Sequence, residues 1–147
     1  MKYAFTMIEL VFIIVIIGIL AAVAIPKLAA TRDDAIVASV ASQIGVAVSD
    51  IAQYATARGK TEDDFTQMSD AVKVMIDKGR AVQNGNTLNI EMGNISDCLQ
   101  LKVVKSTLDS NLTIMYGSST NPLCDHLRST IRAEDYPVPL KGKRTVF

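Results

Sequence analysis

An uninterrupted apolar segment near the N-terminus limits what this chain can fold into more than any other feature. From Phe5 to Ile25 the sequence reads FTMIELVFIIVIIGILAAVAI, and Glu9 is its one charged residue. As a helix this segment would be about 31 Å long, roughly the hydrocarbon thickness of a bilayer. Helices in soluble cores usually carry one apolar stripe, whereas this segment is apolar on every side. The sequence therefore predicts a membrane or export segment.

An ordinary secretory signal peptide is one alternative interpretation of the segment. Lys2 precedes the apolar run, and Ala22-Val23-Ala24 is a small-x-small cleavage candidate. Two features argue against it: Glu9 stands where such a signal is basic or neutral, and the apolar run continues to the residue before Pro26. Under this alternative the chain would be a Sec-exported soluble periplasmic binding protein. A single-pass membrane protein that displays a binding head is a further alternative.

The composition disfavours several functional classes. A chain of 147 residues predicts one domain, and its 15 Lys and Arg balance its 15 Asp and Glu. A dedicated nucleic-acid binder needs excess positive charge to neutralise phosphates, so this balance argues against one. One His and two Cys cannot by themselves fill a four-ligand zinc site, and we expect no metal and no cofactor. Cys124 and His126 would point to different faces of a helix, which disfavours a catalytic Cys–His pair. No arrangement of residues in the sequence predicts an enzyme.

The residues at the N-terminus also form a specific motif. Lys2–Leu10 reads KYAFTMIEL and is followed by the apolar run and by Ala24-Ile25-Pro26. Over about the first 35 residues the chain resembles the type IV pilins and the type II secretion pseudopilins. The resemblance implies that a prepilin peptidase cuts between Ala4 and Phe5 on the cytoplasmic side and that the new Phe5 amine is N-methylated. The family usually has Gly at the position of Ala4, and Ala is the nearest steric substitute.

The same resemblance implies roles for three residues of the helix. In the family, the Glu that matches Glu9 pairs with the N-terminal amine of a neighbouring subunit, here that of Phe5. Such a pair would set the axial register between subunits, and breaking a buried ion pair typically costs about 3–5 kcal/mol. Gly18 and Pro26 match family positions where the helix is bent or loosened. Pro26 also removes one helical hydrogen bond, which predicts a kink.

The function that the resemblance implies is structural. The chain would be a pilin or pseudopilin, inserted in the bacterial inner membrane with its head outside the cytoplasm, and then polymerised through its N-terminal helix into an extracytoplasmic filament. Its partners would be other copies and related minor subunits, the prepilin peptidase, the inner membrane, and the assembly platform and motor. Nucleic acid would be a partner only of a DNA-uptake filament. Adhesion and motility pili, secretion pseudopili and DNA-uptake filaments share this N-terminus, so the system stays open.

The rest of the chain predicts an α+β fold in which a long helix packs on a small antiparallel sheet. Apolar residues spaced by three and four predict that the helix continues to Arg58, where Gly59 stops it. The predicted stripe comprises Ile36, Val40, Ile44, Ala47, Val48, Ile51 and Tyr54. The predicted regions are a leader at 1–4, a transmembrane or filament-core helix at 5–26, an amphipathic half at 27–58 and a head at 59–147.

Within the head the pattern predicts a short helix, a meander and a second short helix. The first helix covers 61–80, with Thr61 as a weak cap and with Val72, Met75 and Ile76 facing inward. Asn84-Gly85 signals a turn. The second helix covers 123–132, and the tail after it is extended or edge-like. The predicted strands are Thr87–Met92, Cys98–Val104 and Leu112–Tyr116.

Cys98 and Cys124 are the only cysteines, and both lie in the predicted head. A small exported domain often adds a disulfide because its core is small. If the head faces the periplasm, a bridge between these two residues is expected. Two buried free thiols are the alternative. The resemblance agrees with the bridge, because many pilin heads close their C-terminal region in this way.

Overall fold

The structure is a computed structural model that describes residues 5–105 and 110–140. It divides into a unit that ends at Ile36 and a unit that begins at Val37. The elements in chain order are α1 (Met7–Arg58), a 3₁₀ turn (Phe65–Gln67), α2 (Asp70–Asp77), β1 (Ala81–Asn84), β2 (Thr87–Met92), β3 (Ile95–Lys105), β4 (Ser110–Tyr116), α3 (Pro122–Thr130), a second 3₁₀ turn (Ala133–Asp135) and β5 (Val138–Pro139). The predicted α+β class is confirmed.

The long helix is confirmed with the predicted C-terminal end. Helix α1 has 52 residues and is continuous in its secondary structure through Gly18 and Pro26. It ends at Arg58 because Gly59 takes the left-handed conformation, with φ +65°, which a residue with a side chain rarely adopts. The N–H of Gly59 closes the last turn by donating to the carbonyl of Ala55 at 2.8 Å. The bend predicted at Gly18 and Pro26 stays a prediction.

The first unit carries the apolar segment. Met7–Ile25 has a mean hydropathy of 3.1 and is long and apolar enough to cross a membrane. Each of its Leu, Ile, Val, Met and Phe side chains is at least 43% exposed in the single chain. Apolar surface of this extent on a soluble monomer marks a site of contact with a membrane or another protein. The structure is therefore compatible with the predicted membrane segment.

The second unit contains the core. The later part of α1 buries one stripe of small and β-branched side chains at 0–2% exposure, as the periodicity predicts. Of the predicted stripe, Ile36, Val48 and Tyr54 are half-buried and flank it. The rest of the core comes largely from the inward positions of the sheet, which alternate along β2 with Leu88 and Ile90 at 0% exposure. The buried stripe consists of Val37, Val40, Ile44, Ala47, Ile51 and Ala55.

The sheet is an antiparallel meander in the order β1-β2-β3-β4-β5. Strand β2 has the predicted bounds, while β3 and β4 begin three and two residues earlier than predicted. Strand β1 was not predicted, because four residues with a single buried position give almost no periodic signal. Strand β5 lies in the tail that the sequence predicts to be extended, and it pairs with the edge of β4. The residues after 140 lie outside the described part of the chain.

The prediction of a single helix over 61–80 is wrong. The chain instead forms the 3₁₀ turn at Phe65–Gln67 and then α2. Two side chains make separate caps and so divide the segment: Asp64 accepts from the N–H of Thr66 at 2.9 Å, and Ser69 accepts from the N–H of Val72 at 3.4 Å.

Helix α3 confirms the prediction of a second short helix. It begins with a cap at Asn121 and has Pro122 in its first position.

Candidate assembly site

The first turn of α1 joins Thr6 and Glu9 through three hydrogen bonds. The backbone N–H of Thr6 donates to Glu9 Oε2 at 2.9 Å, and the Thr6 hydroxyl donates to the same oxygen at 2.7 Å. The backbone N–H of Glu9 donates back to Thr6 Oγ1 at 3.4 Å. This is the reciprocal capping box that the spacing Thr-x-x-Glu forms at a helix start. The capping role of Thr6 was not predicted from the sequence, although the Thr-x-x-Glu spacing before the apolar run is the signal for it.

The capping box leaves part of the Glu9 carboxylate available. Both bonds from Thr6 reach Oε2, and no hydrogen bond within the described residues reaches Oε1. The helix N-terminus favours a negative charge in its first turn, so Glu9 is suited to this position as a carboxylate. A shallow depression of about 290 Å³ lies beside it, lined by the apolar side chains of Phe5, Ile8, Phe12 and Ile13. The site can therefore accept a cationic group next to apolar surface.

Phe5, the other residue predicted for assembly, lines the depression beside Glu9, whereas the predicted bend positions Gly18 and Pro26 lie away from it. Phe5 is described and 77% exposed, while Ala4 and the predicted cleavage bond before Phe5 lie outside or at the limit of the described residues. Gly18 and Pro26 lie 9 and 17 residues after Glu9 in α1, which places them about 14 and 26 Å along the helix axis. Any influence of these two positions on Glu9 must therefore act through the helix.

The predicted pair Cys98 and Cys124 forms a disulfide. It joins β3 to α3 across 26 residues of chain, with a Cα–Cα distance of 4.9 Å. Both cysteines are fully buried, at 0% exposure. The bond thus holds α3 against the sheet from inside the core.

A cluster of hydrogen bonds around Asp97, which no sequence pattern predicts, lies directly beside the disulfide. Asp97 Oδ2 accepts from the backbone N–H of Ser118 at 2.8 Å and from its hydroxyl at 2.7 Å. Asp97 Oδ1 accepts from Gln100 Nε2 at 2.7 Å. Asp97 itself has φ +58°, a left-handed conformation that Asp tolerates better than most residues. A Cβ on Gly117 would overlap the Asp97 carbonyl, so only glycine allows this close approach.

Arg128 adds a second set of bonds at the same place. Its Nε donates to the carbonyl of Cys98 at 3.1 Å, and one Nη donates to the carbonyl of Gly117 at 2.8 Å. Its other Nη pairs with Asp125 at 3.0 Å on the same helix. One side chain of α3 therefore binds the backbone of β3 and the residue that follows β4. The Asp97 cluster and Arg128 hold the geometry in which the disulfide lies.

We expect Asp97 to make the stability of the head depend on pH in the acid range. Hydrogen bonds from the Ser118 hydroxyl and backbone, and then from Gln100, hold the pKa of Asp97 below its usual range. Because the folded pKa is lowered, the stabilisation is present above the unfolded value of about 3.9 and is lost as pH falls through the folded pKa. We expect Asp97→Asn to lower the urea midpoint of the head at pH 7 and to have little effect at pH 2. Asn tolerates the left-handed conformation, so the variant removes the charge and one accepting oxygen without a change in backbone preference.

The measurement is urea unfolding of the full chain in detergent at both pH values. Asp77→Asn is the control, because Asp77 is exposed on α2 and its carboxylate accepts no hydrogen bond within the described residues. A gap between the wild type and Asp97→Asn that stays the same at pH 7 and pH 2 would contradict the assignment.

The capping box and the cluster around the disulfide differ in their properties. The capping box presents a carboxylate beside exposed apolar side chains in the unit that ends at Ile36. The cluster around the disulfide connects strands and α3 within the unit that begins at Val37. Compared with known proteins, the chain matches no protein-family model, no curated protein and no solved structure.

Proposed function

We propose that this chain is a structural subunit, a pilin or pseudopilin, that polymerises through α1 into an extracytoplasmic filament. One observation carries the proposal: Glu9 is held by Thr6 at the start of an apolar helix segment whose large side chains are all exposed. A carboxylate that enters an apolar environment needs a cationic partner. The residues that bear the pilin-like motif place this carboxylate four positions after Phe5.

The chemistry of assembly follows from the two carboxylate oxygens. Cleavage between Ala4 and Phe5 leaves a charged amine on Phe5. Thr6 occupies Oε2 of Glu9 in the same chain, so Oε1 is available to the Phe5 amine of a neighbouring copy. The exposed side chains of Met7–Ile25 then pack against the same segment of other copies, which removes them from lipid and water. The ion pair sets the axial register, and the apolar packing supplies contact area.

The head supports a location outside the cytoplasm. Disulfides persist in oxidising compartments such as the bacterial periplasm and are rare in the cytosol. The Cys98–Cys124 bond lies in the head unit. Met7–Ile25 is the more apolar of two stretches of α1 that are long and apolar enough to cross a membrane, the other being Thr31–Arg58. We place the helix in the inner membrane before assembly, with the head on the periplasmic side. The prepilin peptidase, the assembly platform and the motor are the partners that this route requires.

The first experiment is the intact mass and the N-terminal sequence of the protein isolated from native membranes. The proposal predicts a chain that begins at Phe5 and carries one methyl group on its amine. A chain that begins at Ile25 would instead identify an ordinary exported protein and would remove the role given to Glu9. A chain that still contains Ala4 would identify a single-pass membrane protein without prepilin processing. Both of these outcomes would overturn the proposal.

A further inference from the structure

Arg128 is bonded to the backbone of Cys98 itself. Its Nε donates to the Cys98 carbonyl at 3.1 Å, and the backbone N–H of Gly117 donates to the same oxygen at 3.1 Å. A carbonyl oxygen has two lone pairs, so these two donors use the full capacity of the Cys98 carbonyl. The cysteine of β3 is therefore held at its backbone by a side chain that belongs to α3.

Arg128 also lies next to the other cysteine along α3. Cys124 and Arg128 are four residues apart in this helix, so their side chains lie on the same face, one turn apart. The Arg128 side chain is only 17% exposed. A second bond, from one Nη to the Gly117 carbonyl at 2.8 Å, fixes the direction of the guanidinium. Because bonds from a charged donor are stronger than neutral ones, Arg128 keeps Cys124 against β3 whether or not the S–S bond exists.

The burial of the two cysteines decides how their bond can form and break. Both are at 0% exposure while α3 lies on the sheet. Thiol–disulfide exchange requires an attacking thiolate to reach one of the sulfurs. The bond therefore forms and breaks from states in which α3 is displaced, and the contacts that hold α3 set the population of those states. The bonds from Arg128 to Cys98 and Gly117 are among these contacts.

We propose that Arg128 is a positioning residue for the Cys98–Cys124 bond, which holds the two thiols together in the reduced head and protects the formed bond from reduction. In the reaction the two thiols give two protons and two electrons to an external disulfide, which becomes two thiols, and one S–S bond forms in the head. Coupling between two contacts is reciprocal, so a contact that favours the docked helix also favours the bond that requires it. The inference concerns the head unit alone and does not depend on the proposed function.

The test is the redox equilibrium of the full chain in detergent with mixtures of reduced and oxidised glutathione. Arg128→Met keeps an unbranched stem but has no donor, and we expect the equilibrium constant for oxidation to fall about tenfold. We also expect dithiothreitol to reduce the bond about tenfold faster, because the open state is more populated. Arg128→Lys keeps the charge but cannot make both bonds of the guanidinium fork, so its equilibrium constant should fall by about fivefold. It carries the same comparison if Arg128→Met shows no urea transition of the head.

Two control variants separate this local effect from a general loss of stability. Ser69→Ala removes the cap of α2, an element that the disulfide does not join, and we expect a lower urea midpoint with an equilibrium constant within twofold of wild type. Arg132→Met removes an exposed arginine that pairs with Asp135 at 3.2 Å, and we expect both quantities to stay near wild type. An equilibrium constant for the Arg128 variant within twofold of wild type would overturn the proposal. An equal fall in Ser69→Ala would also overturn it, because overall stability would then determine the bond.

Discussion

Replacing Glu9 by Ala is expected to abolish filament assembly while leaving membrane insertion intact. The change removes a charge from an apolar segment, so insertion becomes easier. In the assembled filament it would leave the Phe5 amine of the neighbouring copy without a partner. An unpaired buried charge typically costs about 3–5 kcal/mol per contact, and that cost recurs at every subunit. We expect a more than hundredfold loss of filament, measured by electron microscopy and by immunoblotting of sheared material.

Two variants separate the charge of Glu9 from its role in the helix cap. Glu9→Gln retains an oxygen that can accept from Thr6 but has no charge, and we expect it to fail in assembly as Glu9→Ala does. Thr6→Val removes the hydroxyl that donates to Glu9 at 2.7 Å but keeps the carboxylate, and we expect a partial defect. Extraction at high pH provides the control for insertion, since all variants should remain with the membrane. Wild-type amounts of filament from Glu9→Gln would show that an ion pair is not needed.

The largest expected effect on stability comes from removal of the disulfide. In the double variant Cys98→Ser with Cys124→Ser, the unfolded chain regains the freedom that the closed loop removes. For a loop of 26 residues the chain-entropy model gives roughly 3 kcal/mol. That loss is a large fraction of the stability of a small domain. We expect a clearly lower urea midpoint for the head in detergent, and faster proteolysis of the exported chain in cells.

The double variant is chosen because a single replacement would leave a reactive thiol. Reduced wild-type protein is the matched control, and its urea midpoint should coincide with that of the double variant. The hydrogen bonds from Arg128 to Cys98 and Gly117 involve backbone carbonyls. The reduced wild type and the double variant therefore both retain them. A double variant as stable as the oxidised wild type would contradict this account and would assign the stability of α3 to Arg128 and Asp97.

Features with a local or periodic cause were predictable from the sequence. The extent of α1, its stop at Gly59, the buried stripe around Ile44 and the alternation along β2 each depend on neighbours within a few positions. The error at 61–80 had a local cause as well. Asp64 and Ser69 compete with one long helix by capping two short elements, and the apolar positions within that stretch do not reveal the division.

The sequence by itself determined the long apolar helix segment with its single carboxylate, the buried stripe of α1 and the expected pairing of the two cysteines, because composition and short-range periodicity indicate which residues are apolar on one face or on all faces. Only the tertiary structure decided the cluster at Asp97, the bonds from Arg128 and the orientation of Arg80 toward α1. Among these contacts, Asp97–Ser118, Arg128–Cys98 and Arg80–Ser39 join residues 21, 30 and 41 positions apart. Their partners are polar side chains and backbone carbonyls that form no pattern along the chain. The pairing of strands and the packing of helices bring them within hydrogen-bond distance.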